Sequence, residues 1–308
     1  MRVLEGPWQG WAPPDGPKSL TIGVLDGVHL GHRSLLATLR PTMIRTVLTF
    51  DPHPLEVLRP GTHPRLLTTL PERVALLGMA GVECLGVLDL AAIKELAPEA
   101  FVSDVLVSTL QVGHVVVGED FRFGKDRGGD VGLLTALGAE MSFEVEIIPI
   151  LERGGEAVSS SRIRHLIEQG EIGEAARLLG SRFTVRGTVI DGDKRGREIG
   201  FPTANLRPPT QKVIPASGVY AGMAVVGGNS HQAAINVGVR PTFGGGELLV
   251  EAFILDFEGD LYGKEIAIEF VERLRPELAF DDVSQLVEAM HEDVARARSI
   301  LGRAGARM

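Results

Sequence analysis

Two histidines three residues apart, His29 and His32, close the segment DGVHLGH (26–32), directly after the apolar run LTIGVL (20–25). At the start of a helix such a pair shares one face. Helix N-terminal amides already attract phosphate, and two imidazoles beside them can stabilise charge that builds on a nucleotide's phosphates. Asp26 and Gly27 suit a tight turn, and Gly31 lets a ligand approach the backbone. The competing reading is a pair of surface histidines that cap a helix; a place after the first strand of a parallel sheet favours the phosphate reading. A second group, VSSSRIR (158–164), leads three hydroxyls into a helix. Hydroxyls there normally cap, but a cap needs one serine, and Ser160 and Ser161 are followed by Arg162 and Arg164, so cap and polyphosphate clamp stand level. A third, GEDFRFGKDRGGD (118–130), is a glycine-rich loop in which Phe121 and Phe123 either pack an aromatic ligand ring or anchor the loop to the core. TFDPHP (49–54) adds Asp51 and His53 to the same edge.

The second half carries GTVIDGDKRGREIGFPTANL (187–206). Gly192, Gly196 and Gly200 allow backbone amides to wrap phosphates, with Lys194, Arg195 and Arg197 adding charge. This is not a Walker A sequence. Thr203 offers a hydroxyl and Asn205 a carbonyl oxygen, hard ligands that suit Mg²⁺. Glu251, between apolar residues on both sides, reads as an outward-facing strand residue.

Elements that would position these groups alternate through the first half. Strand-like runs at 20–25, 43–50 and 143–151 are separated by helical patterns, among them 29–40, stopped by Pro41, and 71–81, with Pro in its first turn and Gly at its end. Apolar strands between helices imply a parallel sheet covered on both faces, with ligands beyond the strand C-termini. Two short helices follow at about 159–180. From Phe183 five strand-like runs, divided by glycine and proline turns, predict a small antiparallel barrel, closed by an amphipathic helix over 281–301. The expected domains are therefore 1–180 and 181–308.

The chain has 308 residues, 44% hydrophobic and 23% charged, with a net charge of −9. That composition excludes a largely disordered chain, and the acidic balance argues against broad nucleic-acid binding while leaving room for a nucleotide ligand. No apolar stretch approaches the length of a membrane helix, no secretory signal is legible, and a single cysteine, Cys84, excludes an internal disulfide framework. A cytoplasmic protein is expected.

The four segments of the first half, in this order, resemble the adenylyltransferase module of bifunctional riboflavin kinase/FAD synthetases, within the HxGH nucleotidylyltransferase superfamily. The second half is similar to the riboflavin kinase module: PTAN at 202–205 is followed by GVYAG, NVGVRPTFG, VEAFILDFEGDLYGKEI and RLRPELAF. The resemblance implies an enzyme that phosphorylates riboflavin with ATP and Mg²⁺ and then adenylylates FMN to FAD. Its partners would be riboflavin, FMN and ATP, with no nucleic acid and no membrane; oligomeric state is left open. It implies Glu251 as base for the flavin 5′-hydroxyl, and His29 and His32 as the charge-stabilising pair of the second reaction. Asp26, Gly27, Gly31, Ser160, Ser161, Arg162 and Arg164 would bind ATP there, and Asp51, His53, Asp120, Phe121, Phe123 and Arg127 FMN. In the kinase half, Gly192, Lys194, Gly196, Arg197, Gly200 and Thr203 would bind ATP, Arg275, Glu277 and Phe280 the flavin, and Thr203 and Asn205 the metal. Three positions depart from the family's usual pattern: Leu25 stands where Phe is usual, Ala157 where a basic residue is common, and Asp130 where Asn is commoner. Two rivals remain: a kinase with a catalytically silent N-terminal domain, and an RNA-interacting protein, because class I tRNA synthetases share the HxGH signature.

Overall fold

In the computed structural model, residues 1–58, 61, 64–192, 200–240 and 247–305 are described. Packing divides the chain into two units, Met1–Ser160 and Ser161–Met308.

The first unit runs β1 (Arg2–Leu4), β2 (Lys18–Ile22), α1 (Leu30–Thr38), β3 (Ile44–Phe50), α2 (Pro54–Leu58), α3 (Leu70–Met79), β4 (Cys84–Leu88), α4 (Leu90–Ile93) and α5 (Pro98–Ala100). A π-helical stretch, Phe101–Thr109, continues α5. Then come β5 (Val112–Gly118), the hairpin β6 (Arg122–Phe123) and β7 (Gly129–Asp130), α6 (Val131–Met141), β8 (Glu144–Ile148), and the hairpin β9 (Glu152–Arg153) and β10 (Glu156–Ala157). The sheet is parallel throughout, in the order β1-β4-β3-β2-β5-β8. Every residue of β2 and β4 is buried, as strands covered on both faces require. β8 departs from the apolar expectation: it is an edge strand, and Glu144 and Glu146 face solvent. β1, too short to give a pattern, was not legible. From β2 the chain pairs β3 on one side and, later, β5 on the other, so the order reverses at the C-terminal end of β2, where an open α/β sheet forms its ligand crevice. The segment holding His29 and His32 leaves the sheet there.

The second unit runs α7 (Ser160–Gln169), α8 (Ile172–Leu179), β11 (Phe183–Ile190), β12 (Ala204–Arg207), β13 (Gly218–Val226), β14 (Asn229–Arg240), β15 (Glu247–Ile254), β16 (Glu265–Arg275) and α9 (Val283–Gly305). Six strands close an antiparallel barrel in the order β11-β12-β15-β14-β13-β16. The sequence shows five of them as apolar runs; the sixth, β12, holds the Asn of PTAN. α8 buries Ile172, Ala175, Leu178 and Leu179 and packs against β16 and β11. The packing boundary, after Ser160, therefore precedes α8 and all but the first residue of α7.

Two candidate active sites

In the first unit the turn after β2 is held in an unusual shape. Leu25, Gly27 and Val28 have φ of 53°, 82° and 42°. A positive φ at a β-branched valine is rare and persists only where the surroundings impose it. Here Leu25 and Val28 are locked into the apolar cluster of Leu36, Leu39, Leu77 and Val82. Asp26 is buried, and its carboxylate accepts from Leu67 N (2.9 Å), Thr68 N (2.8 Å) and Thr68 Oγ1 (2.9 Å). Gly27 N donates to Thr68 Oγ1 at 2.9 Å, and Ser160 Oγ donates to the Asp26 carbonyl at 2.9 Å. Asp26, expected among the phosphate binders, is a carboxylate that repels phosphate and already accepts three hydrogen bonds. It shapes the turn instead.

His29 caps α1: its Nδ1 accepts from His32 N at 3.4 Å. With Nδ1 an acceptor, the neutral ring carries its proton on Nε2, which is then a donor. The His29 and His32 rings stack with centroids 3.6 Å apart at 20°. Burial, then the His29 ring and the Arg73 guanidinium, hold His32 well below the ordinary histidine pKa. Its Nδ1 is buried without a hydrogen-bond partner. Gly31 has a reason the sequence did not show: a Cβ there would lie 3.2 Å from the His29 ring and 3.3 Å from the Val158 carbonyl, so any larger residue would crowd the imidazole where it lies against the helix.

Arg73 on α3 was not singled out in the sequence. It is buried, and donates to Thr49 Oγ1 (3.2 Å) and the Phe50 carbonyl (3.3 Å) at the end of β3, and to the Thr68 carbonyl (3.4 Å). Asp26 and Asp51 offset the cost of burying its charge. An arginine four residues before Leu77, on the apolar stripe of a helix, is the signal that could have found it. Asp51 is exposed beside it, its carboxyl raised by desolvation and lowered by Arg73. His53 Nδ1 accepts from Leu55 N at 3.2 Å.

The glycine loop divides its two aromatics. Phe123 is buried, lies against Phe101 (6.0 Å) and stacks with Phe121 (5.6 Å), so it anchors the loop, whereas Phe121 is half-buried and keeps surface for a ring. Asp120 and Arg127 are exposed. Asp130 caps α6 through Leu133 N at 3.0 Å, which gives this departure from the family pattern a structural role. In α7, Arg164 donates to Ser161 Oγ at 3.3 Å, and Arg162 lies between them in sequence.

In the second unit, Asn205 on β12 stands opposite Glu251 on β15, which stands opposite Asn236 on β14. Val250 and Ala252 point into the barrel and are fully buried, so Glu251 does face outward. That outer face is not solvent. One side of α9, with Leu286, Met290, Asp293 and Val294, covers it and leaves a cavity of about 400 Å³, lined also by Thr203, Phe253 and Phe280. Thr203 and Asn205 also line a second cavity, of about 590 Å³, with Phe257 and Tyr262. A Cβ at Gly192 would sit 2.2 Å from Asn205 Nδ2, so the backbone there lies against the Asn205 amide. Gly200 has a φ of 89°. Lys194, Gly196 and Arg197 lie outside the described residues. Arg275 lines the first cavity, but its guanidinium is engaged by Asp293 and by the Pro276 carbonyl. Glu277 lies against β14, where a Cβ at Gly238 would be 3.0 Å from its Oε1.

Residues 13–162 match the FAD synthetase family model and residues 179–301 the riboflavin kinase model. A bifunctional riboflavin kinase/FMN adenylyltransferase of Listeria monocytogenes is 38% identical over 93% of this chain and 93% of its own length. The chain belongs to the bifunctional riboflavin kinase/FMN adenylyltransferase family. The Escherichia coli K12 relative of that name is 37% identical over 98% of each chain. A solved structure described as a macrolide-efflux protein from Streptococcus pneumoniae is 31% identical, with a TM-score of 0.87 over 94% of this chain and 96% of its own. Among the described residues, no helix here is long and apolar enough to cross a membrane.

For this riboflavin kinase/FMN adenylyltransferase family member, the depressed pKa of half-buried His32 predicts acid sensitivity. Folded His32 stays neutral well below 6.5, while the unfolded chain takes up that proton near pH ~6.5. The unfolded state then binds more protons, so stability falls as pH drops below about 6.5. His32→Asn should flatten the fall in melting temperature between about pH 7 and about pH 5, followed by circular dichroism. An unchanged slope would show that His32 is not held neutral.

Proposed function

We infer that the barrel phosphorylates riboflavin with ATP, giving FMN and ADP, and that the N-terminal unit joins FMN to AMP from a second ATP, giving FAD and pyrophosphate. The observation that supports this best is the outward-facing Glu251, placed opposite Asn205 and Asn236 inside a cavity roofed by α9. We assign riboflavin to that cavity and the nucleotide to the second one, with Thr203 and Asn205 on the wall they share. Glu251 accepts the proton of the flavin 5′-hydroxyl as its oxygen attacks the γ-phosphorus, and ADP leaves. Among the described residues, no group of three or more His, Cys, Asp or Glu side chains could hold a metal ion. The neutral oxygens of Thr203 and Asn205 fit Mg²⁺, which takes few protein ligands and completes its shell with phosphates and water. When bound, the ion neutralises phosphate charge.

In the N-terminal unit an FMN phosphate oxygen attacks the α-phosphorus of ATP, and the bond to pyrophosphate breaks. No protein nucleophile is needed. The Nε2–H of His29 and the neutral ring of His32 meet the charge developing on the phosphates, in a turn that Asp26, Thr68 and Arg73 hold rigid. Gly27 and Gly31 keep the backbone close, and Ser160 braces the same turn through the Asp26 carbonyl. The open surface of Phe121, with Asp51, His53, Asp120 and Arg127, receives FMN, while Phe123 supports Phe121 from below. The proposal includes a cytoplasmic location and functional halves 1–180 and 181–308. A silent N-terminal unit is not favoured, because relatives 37–38% identical over 93–98% of this chain carry both activities in their names.

A fragment of residues 161–308 should fold and make FMN but no FAD. A fragment beginning at Gly180 lacks the cover that α8 gives β16 and β11. Losing Ile172, Leu178 and Leu179 from that face removes about 1.5–3 kcal/mol per side chain, so the shorter fragment should melt well below the longer one. A soluble, folded 161–308 fragment that leaves riboflavin unphosphorylated would overturn the assignment of the kinase site.

A further inference from the structure

Arg275 was expected to bind the flavin directly. Three of its five N–H donors are engaged within the protein. Nε lies 3.1 Å from both Asp293 carboxylate oxygens, one terminal nitrogen 2.8 Å from Asp293 Oδ2, and the other 3.1 Å from the Pro276 carbonyl. Asp293 is buried at 4% exposure on the face of α9 that lines the first cavity. The guanidinium carbon lies 5.7 Å from the centre of the Phe280 ring. Two residues on, Glu277 rests against Gly238 of β14. The segment from Pro276 to Phe280 is thus fixed at its root by the Arg275–Asp293 pair, and it carries Glu277, Leu278 and Phe280 into the cavity wall. A second tie, Arg296 to the Leu274 carbonyl at 2.9 Å, joins the same helix to the same strand end. α9 would therefore stay docked without the Asp293 pair, but the aim of the 276–280 segment would not.

We propose that Asp293 is a positioning residue of the kinase site: through Arg275 it fixes the 276–280 wall and so sets affinity for the flavin substrate. The proposal rests on the assignment of this cavity to riboflavin. A planar, largely apolar ring system is bound by the surfaces that flank it, so a wall displaced by an ångström lowers affinity even when the reacting groups, on β12 and β15, are untouched. Asp293 touches neither Glu251 nor Thr203 among the bonds that hold it.

The test uses the full-length enzyme and steady-state FMN formation, with riboflavin and ATP varied separately. Asp293→Asn keeps the volume and removes the charge. It should raise the riboflavin KM roughly ten- to a hundredfold, the scale of a binding group misplaced by about 1 Å, with a much smaller change in kcat and in the ATP KM. Arg275→Lys, which keeps the charge and loses the fork, should give a weaker shift of the same kind, and Asp293→Glu should recover part of the affinity. Circular dichroism and the melting temperature of the same preparations report that the barrel, which packs as a unit separate from the N-terminal one, is folded. Phe280→Ala separates the two ideas. If it raises the riboflavin KM while Asp293→Asn and Arg275→Lys do not, the cavity is the flavin's and the positioning role is wrong. If Phe280→Ala and Asp293→Asn both move only the ATP KM, the cavity assignment itself fails. A lower melting temperature and a lower kcat in Asp293→Asn, at unchanged riboflavin KM, would make the pair merely structural.

Discussion

Glu251→Gln should cut the rate of FMN formation by about 10²–10⁴-fold, the usual worth of a positioned general base, and leave conversion of supplied FMN to FAD at the wild-type rate. The substitution keeps the shape of the side chain between Asn205 and Asn236, so the row across the three strands persists without its charge. Thr203→Ala should cost more than Glu251→Gln, because phosphoryl transfer depends on alignment and charge neutralisation more than on basicity. Asn205→Ala is a less clean probe: the Asn205 amide packs under Gly192, and its loss opens a gap in the wall. All three variants are read by chromatography of flavins after incubation with riboflavin, ATP and Mg²⁺. Equal loss of FMN formation and of FAD formation from FMN would contradict two separate sites, provided that circular dichroism shows a folded chain.

The histidines should give the opposite result, and they should differ from each other. His29→Ala and His32→Ala should each lower the turnover of FMN to FAD by about 10²–10³, or ~2.7–4 kcal/mol, the cost of losing a donor to developing phosphate charge. The loss should appear in kcat more than in KM, since that charge belongs to the transition state. Riboflavin phosphorylation should continue. His29 also caps α1 through its Nδ1, so His29→Ala should lower stability by ~1 kcal/mol as well. His32 Nδ1 has no hydrogen-bond partner to lose, and His32→Ala should melt close to wild type. Turnover that stays near normal in both, with only His29→Ala destabilised, would reduce the pair to helix capping.

What was legible in the sequence was local. The histidine pair, the serine run and PTAN each announce a turn, and the apolar runs between them give a parallel sheet and then a barrel. β12 escaped because it is four residues long and opens on the functional motif itself, so it shows no apolar run. The meaning of Asp26 escaped for a different reason. Its partners, Leu67 and Thr68, are more than forty residues away, and sequence shows only an Asp-Gly turn. Gly31 has a second reason that sequence does not show: the His29 ring lies close to where its Cβ would be. The two readings of His29, cap and phosphate donor, are opposed in the sequence and compatible in the structure, because the cap uses only Nδ1. Arg275 was drawn to the flavin by its motif, whereas its partner, Asp293, lies on a helix that sequence could only describe as amphipathic. Partners outside the local motif, such as Leu67 and Thr68 for Asp26 and Asp293 for Arg275, shape what these residues do.

One measurement reaches the central claim directly: the full-length chain with riboflavin, ATP and Mg²⁺, sampled over time, with flavins, ADP and pyrophosphate all quantified. The account predicts that FMN and ADP appear first, that FAD follows, and that pyrophosphate rises in step with FAD. FMN that accumulates with ADP while neither FAD nor pyrophosphate forms would contradict it, and would leave the N-terminal unit without the activity assigned to His29 and His32.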